Sequence, residues 1–511
     1  VDSLRRLARL YRSAKDWNSS VNVLLRLVEV SPDVIEKTDA LLEVGRMYEE
    51  KLEHMDNAVL AYRKLLELDP GHQEAIMRLC TLYERAQKWD ALAEVTRSYV
   101  ASLPPDQRDR AAPLHMKMAK VFEERIDDEG RAIQCYQAVL DVAPRDDQAL
   151  LGLARLYGKD KDSTPQAVEA HRRLLYNDPF RVESYHQMHR LFERSGQYDK
   201  AFVVAEMLVF LHAADEEEEF YFKEHRAKVA VRAEGRMAAK DHLRFLTHPR
   251  DRSAIRPVFE VLSGELGRVF PADLSRYALN PKTDRHTARS DLPARRLADE
   301  IAAVLEVPQF DVWVTAQSEL DVFLESDKPA ALIVGAQFSR RLPDADQRFL
   351  LGRALERLKS GHQILDLLQP REVEALLGAV MSLTQAQARP SGDPALMEEM
   401  QRRITKGVSR EGRRQLEEAA ARLQSGPTDV ARHRAAAVHT ANRAGLTFCN
   451  DIEAAIRNVA KAYPDIRPVF RDPAGAADTI GRIAEVRELM AFAVSEEYLQ
   501  LRARLRYSIE S

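Results

Sequence analysis

Five cations recur in step along the N-terminal part of the chain. Arg9, Arg46, Lys120, Arg155 and Arg190, with Thr81 in the remaining place, each stand three residues before a second row, Arg12, Glu49, Glu84, Glu123, Gly158 and Glu193, that is mostly acidic. Two uses fit this pattern. A base three places before an acid on one helix can form an ordinary surface pair, contributing about 0.2–0.5 kcal/mol. The same cations can instead grip the carboxylates of an extended or helical peptide of acidic character. Patterns that would announce other chemistry are absent: there is no Gly-rich phosphate loop with its lysine, no Gly-x-Ser-x-Gly elbow and no spaced cysteine pair. The imidazoles of His362, His433 and His439 include no two at helical three- or four-residue spacing, so they read as solvent-facing or helix-capping, with no metal or cofactor expected.

The elements that must carry these rows are repeated helical pairs. The first copy holds Leu7, Ala8, Tyr11, Trp17, Leu24, Leu27 and Pro32, and the second holds Val44, Gly45, Tyr48, Ala58, Tyr62, Leu65 and Pro70. Matching sets recur through Cys80, Tyr83, Trp89 and Pro104, through Ala119, Phe122, Tyr136 and Pro144, and through Ala154, Tyr157, His171 and Pro179. A sixth copy keeps His189, Phe192, Gly196, Tyr198 and Ala201. This skeleton resembles the tetratricopeptide repeat family, in which small residues let two antiparallel helices approach, aromatics wedge neighbouring repeats and a proline ends the second helix. The resemblance implies an α-solenoid over residues 1–214 whose concave face, lined by the first helix of each repeat, binds a protein segment. One subset of the family clamps chaperone C-terminal carboxylates with asparagine and lysine. The corresponding column here, Arg6, Glu43, Arg78, Lys117, Gly152 and Gln187, has no asparagine, so such a clamp is not expected.

Asp215 followed by Glu216 to Glu219 predicts a helix N-terminus, since amides and macrodipole favour negative charge there. A capping helix over 215–238 would run to about Met237 and dock through Phe220, Phe222, Val229 and Val231. At the other end the chain opens with Val1 inside a repeat, which fits processing, trimming or a preceding array equally.

The 511 residues are too many for one core, and 31% charged residues with a net charge of −4 argue against a nucleic-acid footprint. No apolar stretch has the length of a membrane span and no signal peptide is visible, so a cytoplasmic location is expected. Cys80, Cys135 and Cys449 read as small core residues in a reducing compartment. Heavy use of Ala, Arg, Leu, Glu and Asp is compatible with a bacterial protein from a GC-rich genome.

Beyond residue 238 the periodicity changes. Residues 239–293 read as a helical connector, helical over 252–268, followed by a polar loop from Asn280 to Pro293. Residues 294–511 read as an α+β domain: a helix over Ala294 to Leu305, short strands at Phe310 to Thr315, Leu320 to Leu324 and Ala330 to Val334, then helices interrupted near Arg389 to Pro394 and Asp472 to Gly475. The alternating segment from Asp478 through Glu485, Leu489, Phe492 and Tyr498 to Leu505 predicts a core-packing helical pair.

The order helix, Val307-Pro308, strand, then Leu342-Pro343-Asp344 opening a helix with Phe349-Leu350-Leu351-Gly352 resembles the core of gluzincin metallopeptidases. Within them it is most similar to the family of heat-shock-induced membrane peptidases and prenyl-protein endopeptidases. Active members carry His-Glu-x-x-His after that glycine, because two histidines one turn apart bind zinc and the glutamate deprotonates its water. Here the residues are Arg353, Ala354, Leu355, Glu356 and Arg357. The later helix that supplies the third ligand resembles Val438 to Gly445, placing Val438 at the glutamate and Asn442 at the aspartate that follows it. The resemblance, over about residues 295–460, therefore implies a degenerate zincin-like domain that has lost its metal ligands and base.

The sequence thus predicts a mainly α chain, a six-repeat solenoid joined to an α+β pseudo-peptidase domain. Its expected function is that of a non-enzymatic scaffold that takes a peptide or helix of a protein partner in the groove, with the former substrate cleft, basic through Arg353 and Arg357, as a second docking surface. The alternatives are a hydrolase acting through an unrecognised site in residues 240–511, or a regulatory subunit of an active peptidase.

Overall fold

The computed structural model describes the whole chain except residues 105, 106, 108, 110, 385–392, 426, 427, 464–479 and 510–511. The expected interruptions at Arg389 and at Asp472 to Gly475, and the start of the last helical pair at Asp478, lie outside the described residues. The chain divides into two compact units, Val1–Arg173 and Leu174–Ser511.

The first unit is a succession of helical hairpins: α1 (Asp2–Ser13) with α2 (Trp17–Val30), α3 (Val34–Glu50) with α4 (Met55–Leu68), α5 (Gln73–Arg85) with α6 (Trp89–Ser102), α7 (Ala112–Val121) with α8 (Glu129–Val142), and α9 (Asp147–Lys159) leading to α10 (Thr164–Asn177). In the first four hairpins the second helix packs on the first helix of the next. Pro32, Pro70, Pro104, Pro144 and Pro179 each stand two residues past the last helical residue, where a ring without an amide hydrogen cannot continue the ladder. Asp16, Asp33, Asp128 and Asp146 accept a backbone amide at the following helix start, satisfying a donor the helix leaves unpaired. Tyr62 and Leu65 are fully buried, and a Cβ at Gly45 would collide with the Tyr62 ring, so only glycine lets α3 approach α4 this closely.

The second unit opens with a sixth hairpin, α11 (Val182–Arg194) and α12 (Tyr198–Phe210). The repeat pattern runs to residue 214, yet this hairpin belongs to the compact unit that follows it. Its packing explains the difference: on α12, the buried Asp199 receives two hydrogen bonds from the buried Arg502, at 3.0 and 2.7 Å, and Glu206 accepts the Ile452 amide at 3.2 Å. The helix after Asp215, α13, spans Glu216–Arg226 and opens with a reciprocal box in which Asp215 and Glu218 accept each other's amides. It ends at Arg226, short of the expected Met237. Phe222 stacks on the buried Phe202 with ring centroids 5.6 Å apart, but Phe220 and Val231 stay 68% and 65% exposed and do not dock.

Downstream come α14 (Arg256–Ser263), a four-stranded sheet, α15 (Pro293–Leu305), α16 (Asp344–Lys359), α17 (Pro370–Met381), α18 (Pro394–Gly407), α19 (Arg410–Ser425), α20 (Val430–Cys449), α21 (Ile452–Ala460), α22 (Ala484–Ala493) and α23 (Glu496–Arg504). The sheet order is β1 (Arg285–His286), β2 (Phe310–Thr315), β4 (Ala330–Gly335), β3 (Val322–Glu325). β2 and β4 are parallel, and the outer strands pair antiparallel. The stretch expected to be loop over 280–293 thus contains β1, a two-residue strand set by pairing with β2, a tertiary contact that local composition does not encode. Leu332 and Ile333 at the sheet centre are fully buried. Helices α16 and α20 pack closely through small residues, with Gly352 against Ala444 and Phe448 and Gly445 against Phe349.

Candidate functional site

The two charged rows take up partners across helices. Arg46 donates to Glu74 on α5, with its Nε 2.9 Å from Oε1, and Lys120 donates to Gln148 at 3.0 Å. Arg155 holds Glu123 at 2.6 and 2.8 Å. Glu49 accepts from Tyr62 Oη at 2.9 Å and from Arg78 at 3.2 Å, and Glu84 accepts from Lys117 at 2.6 Å. Among the described residues no pair joins Arg46 to Glu49 or Lys120 to Glu123, so the expected pairing within one helix gives way to pairing between neighbouring repeats. The reason is reach: the flexible base of one hairpin finds the acid of the adjacent hairpin, and at Glu49 and Glu123 a buried tyrosine hydroxyl holds that acid in place. Arg78 and Lys117 come from the column set aside when a chaperone clamp was excluded, and that column proves to be half of the inter-repeat ladder. Burial, then the bond to Glu49, pushes the Tyr62 hydroxyl far above its usual range, and Tyr136 beside Glu123 behaves in the same way. Arg9 is exposed without a partner among the described residues. In the second unit Arg190 is likewise exposed, and Glu193 lies 3.5 Å from His189 Nδ1.

The second unit contains a cleft of about 630 Å³ between β3 and α16. Arg276, Tyr277, Phe323, Glu325, Arg353, Ala354, Arg357 and Asp366 are among its lining residues. β3 ends the sheet, so one of its edges has no strand partner among the described residues. Arg276 pairs with Glu325 and Arg357 with Asp366. Arg353 makes no ion pair among the described residues; its guanidinium lies 5.6 Å from the Phe349 ring centroid and its Nε has no hydrogen-bond partner. Burial, with Arg353 and Arg434 as like charges, lowers Arg357 to about 10. Arg353 also lies against Gly445, so α20 borders this site from below, while Asn442 on the same helix is 1% exposed with both amide atoms unpaired. Val438 is half-buried.

The histidines depart from expectation. His362 and His433 are 0% and 1% exposed, and they meet at the buried Asp251. Gly361, at φ +69°, makes this possible: a Cβ there would collide with the Phe259 carbonyl, and the turn it allows sends His362 inward from the end of α16. Burial tends to raise Asp251, but His362, Arg256 and His433 hold it well below the usual carboxylate range. Burial lowers His433 to about 4, partly offset by Asp251. Residue spacing could not reveal this cluster, because its members come from three separate elements. His439 is half-buried, with its ring centroid 5.0 Å from that of His248.

Among the described residues, no helix is long and apolar enough to cross a membrane. No curated protein matches the chain. Among solved structures it is similar to MamA, at 15% identity over 37% of this chain and 97% of that one, with a TM-score of 0.23. It is similar also to a tetratricopeptide repeat protein from Parabacteroides merdae, at 13% identity over 44% and 92% with a TM-score of 0.24. A likeness to the Naa15/Naa10 complex bound to HypK-THB, at 13% identity, covers 99% of this chain and 64% of that one with a TM-score of 0.30. The family assignment rests instead on the sequence match and on the hairpins themselves. Residues 38–72, which take in most of α3, all of α4 and the proline beyond it, match the tetratricopeptide repeat family, so the chain contains a tetratricopeptide repeat there.

Proposed function

We propose that the chain is a non-enzymatic protein-binding scaffold whose second unit takes an extended, acidic peptide segment in the cleft between β3 and α16. The observation that carries this reading is the coincidence, in a cleft of about 630 Å³, of a strand edge without a strand partner among the described residues and Arg353, a half-buried guanidinium that makes no ion pair among them and has Glu485 as an opposite charge beyond ion-pair distance. A strand edge offers amides and carbonyls to a peptide backbone, and a guanidinium offers a two-pronged grip to a carboxylate side chain. The positions that resemble a peptidase centre hold Arg353, Ala354, Arg357, Val438 and Asn442, which supply neither a metal ligand set nor a base, and this supports binding without hydrolysis. The repeat hairpins provide a second surface, at which Lys120 donates to an amide and makes no ion pair among the described residues.

The test is selection of peptides from a random displayed library on the full chain, followed by affinity measurement with Arg353→Gln and Lys120→Glu. Enrichment of acidic sequences whose affinity falls at least about tenfold in Arg353→Gln and is unchanged in Lys120→Glu supports the cleft. Loss in Lys120→Glu alone moves binding to the repeats, and cleavage of the selected peptides overturns the non-enzymatic reading.

A further inference from the structure

The buried meeting of Asp251, His362 and His433 has the composition and spacing of a coordination site. One donor atom from each residue lies within 4.8 Å of the others. Asp251 Oδ1 is 3.2 Å from His362 Nε2 and 3.6 Å from His433 Nδ1. Donors bound about 2 Å from a tetrahedral zinc ion sit roughly 3.3 Å apart, so these separations are those of neighbouring ligands.

The hydrogen-bonding pattern around the cluster separates this arrangement from an ordinary polar core. Asp251 Oδ2 is fully engaged, accepting from Arg256 at 2.5 Å and from Thr440 at 2.6 Å, which leaves Oδ1 as the free oxygen. Among the described residues Oδ1 has no aligned hydrogen bond, and neither nitrogen of His362 has one, although the two residues are in contact and buried. A pair at 3.2 Å without hydrogen-bond alignment wastes the contact in a polar core, where each unsatisfied buried group is costly. The same misalignment is natural when both atoms point at a third. Ser253 Oγ, 3.0 Å from His433 Nδ1, stands beside the set as a neutral oxygen. The Arg256 charge is shared with Glu356, 3.6 Å from its Nη2, so it is not left to oppose a cation alone.

We propose that Asp251, His362 and His433 bind a zinc ion that locks the end of α16, the start of α20 and the segment before α14 together. Two imidazoles and one carboxylate form a donor set suited to a borderline dication, and full burial makes the role structural. The site differs from the cleft positions Arg353 and Arg357, and it does not depend on peptide binding there.

The full chain, purified without chelator, is assayed for zinc by mass spectrometry and for thermal stability before and after dipicolinate treatment. The expected result is one zinc per chain, a Tm that falls by about 5 °C on metal removal, and recovery on adding zinc at roughly a hundredfold excess over Kd. Cobalt loaded in place of zinc should give visible bands of a four-coordinate nitrogen–oxygen site. His362→Gln and His433→Gln should each lose the bound zinc. His186→Gln should keep it, although His186 meets Asp215 and Glu218 in the other histidine–carboxylate cluster of the described residues. A folded wild-type chain that takes up no zinc and shows no Tm change overturns the proposal, as does zinc retained by His362→Gln or lost from His186→Gln. If the His362 and His433 variants do not fold, the wild-type chelation result and the cobalt spectrum decide the matter.

Discussion

Arg155 reaches from α9 to hold both carboxylate oxygens of Glu123, which also accepts the Tyr136 hydroxyl at 2.8 Å. Two groups, from the two helices that follow it, thus share one acid. Glu123 is 8% exposed and Arg155 is 58% exposed, so the acid is the costly member to remove.

Glu123→Ala should therefore destabilise the first unit by about 1–3 kcal/mol, because it strands a buried hydroxyl as well as a cation. Arg155→Met should cost only about 0.5–1 kcal/mol, as for an exposed partner. Urea denaturation followed by a probe in residues 1–173 distinguishes the two. Equal costs would mean that Glu123 is held by solvent and not by its neighbours.

Gly45 and Gly158 should respond to alanine with opposite signs. A Cβ at Gly45 meets the Tyr62 ring, whereas at Gly158 it meets nothing within 4 Å. Gly45→Ala is expected to lower stability by about 1–3 kcal/mol through overpacking, and Gly158→Ala to raise it by up to about 1 kcal/mol through helix propensity. Thermal melts of the two single variants check both signs.

Burial, reinforced by the like charge of Asp451 and offset in part by Arg226, raises Glu206 to about 7 from an ordinary value of 4.5. A raised folded pKa means that the native state keeps this proton when the unfolded chain has released it. Stability from Glu206 is therefore full below about pH 4.5 and declines as pH rises toward 7. The melting temperature of wild type minus that of Glu206→Gln should fall across this window and level off above it. A flat difference would show that Arg226 keeps the group charged throughout.

Much of this architecture was legible because repetition is a strong signal. Ala8, Ala58, Tyr62, Leu65 and Pro70 identify their positions by recurring, and the helices form where the pattern places them. The strands at Phe310 and Ala330 were equally plain, since runs of β-branched and aromatic residues between turn formers have few other uses. What escaped was pairing at a distance. The β1 strand at Arg285 exists only because β2 accepts it, and the partner of Glu49 is Arg78, 29 residues away. Exposed Phe220 shows the opposite limit: an apolar residue in a helix was expected to dock, and the chain leaves it in solvent. For the candidate site, the resemblance to a peptidase centre implied that Arg353 and Arg357 share one cleft, while Asp251 could not be joined to His362 and His433 without a fold.

The grip of Arg502 on Asp199 spans 303 positions of chain. On a ribosome adding about 5–20 residues per second, Asp199 emerges between about 15 and 60 s before the guanidinium that neutralises it. The first four hairpins have their neighbours at hand as they leave the exit tunnel, but α12 must keep a carboxylate solvated and an apolar face uncovered through that interval. Vectorial synthesis thus delays completion of the sixth hairpin until α23 has been made.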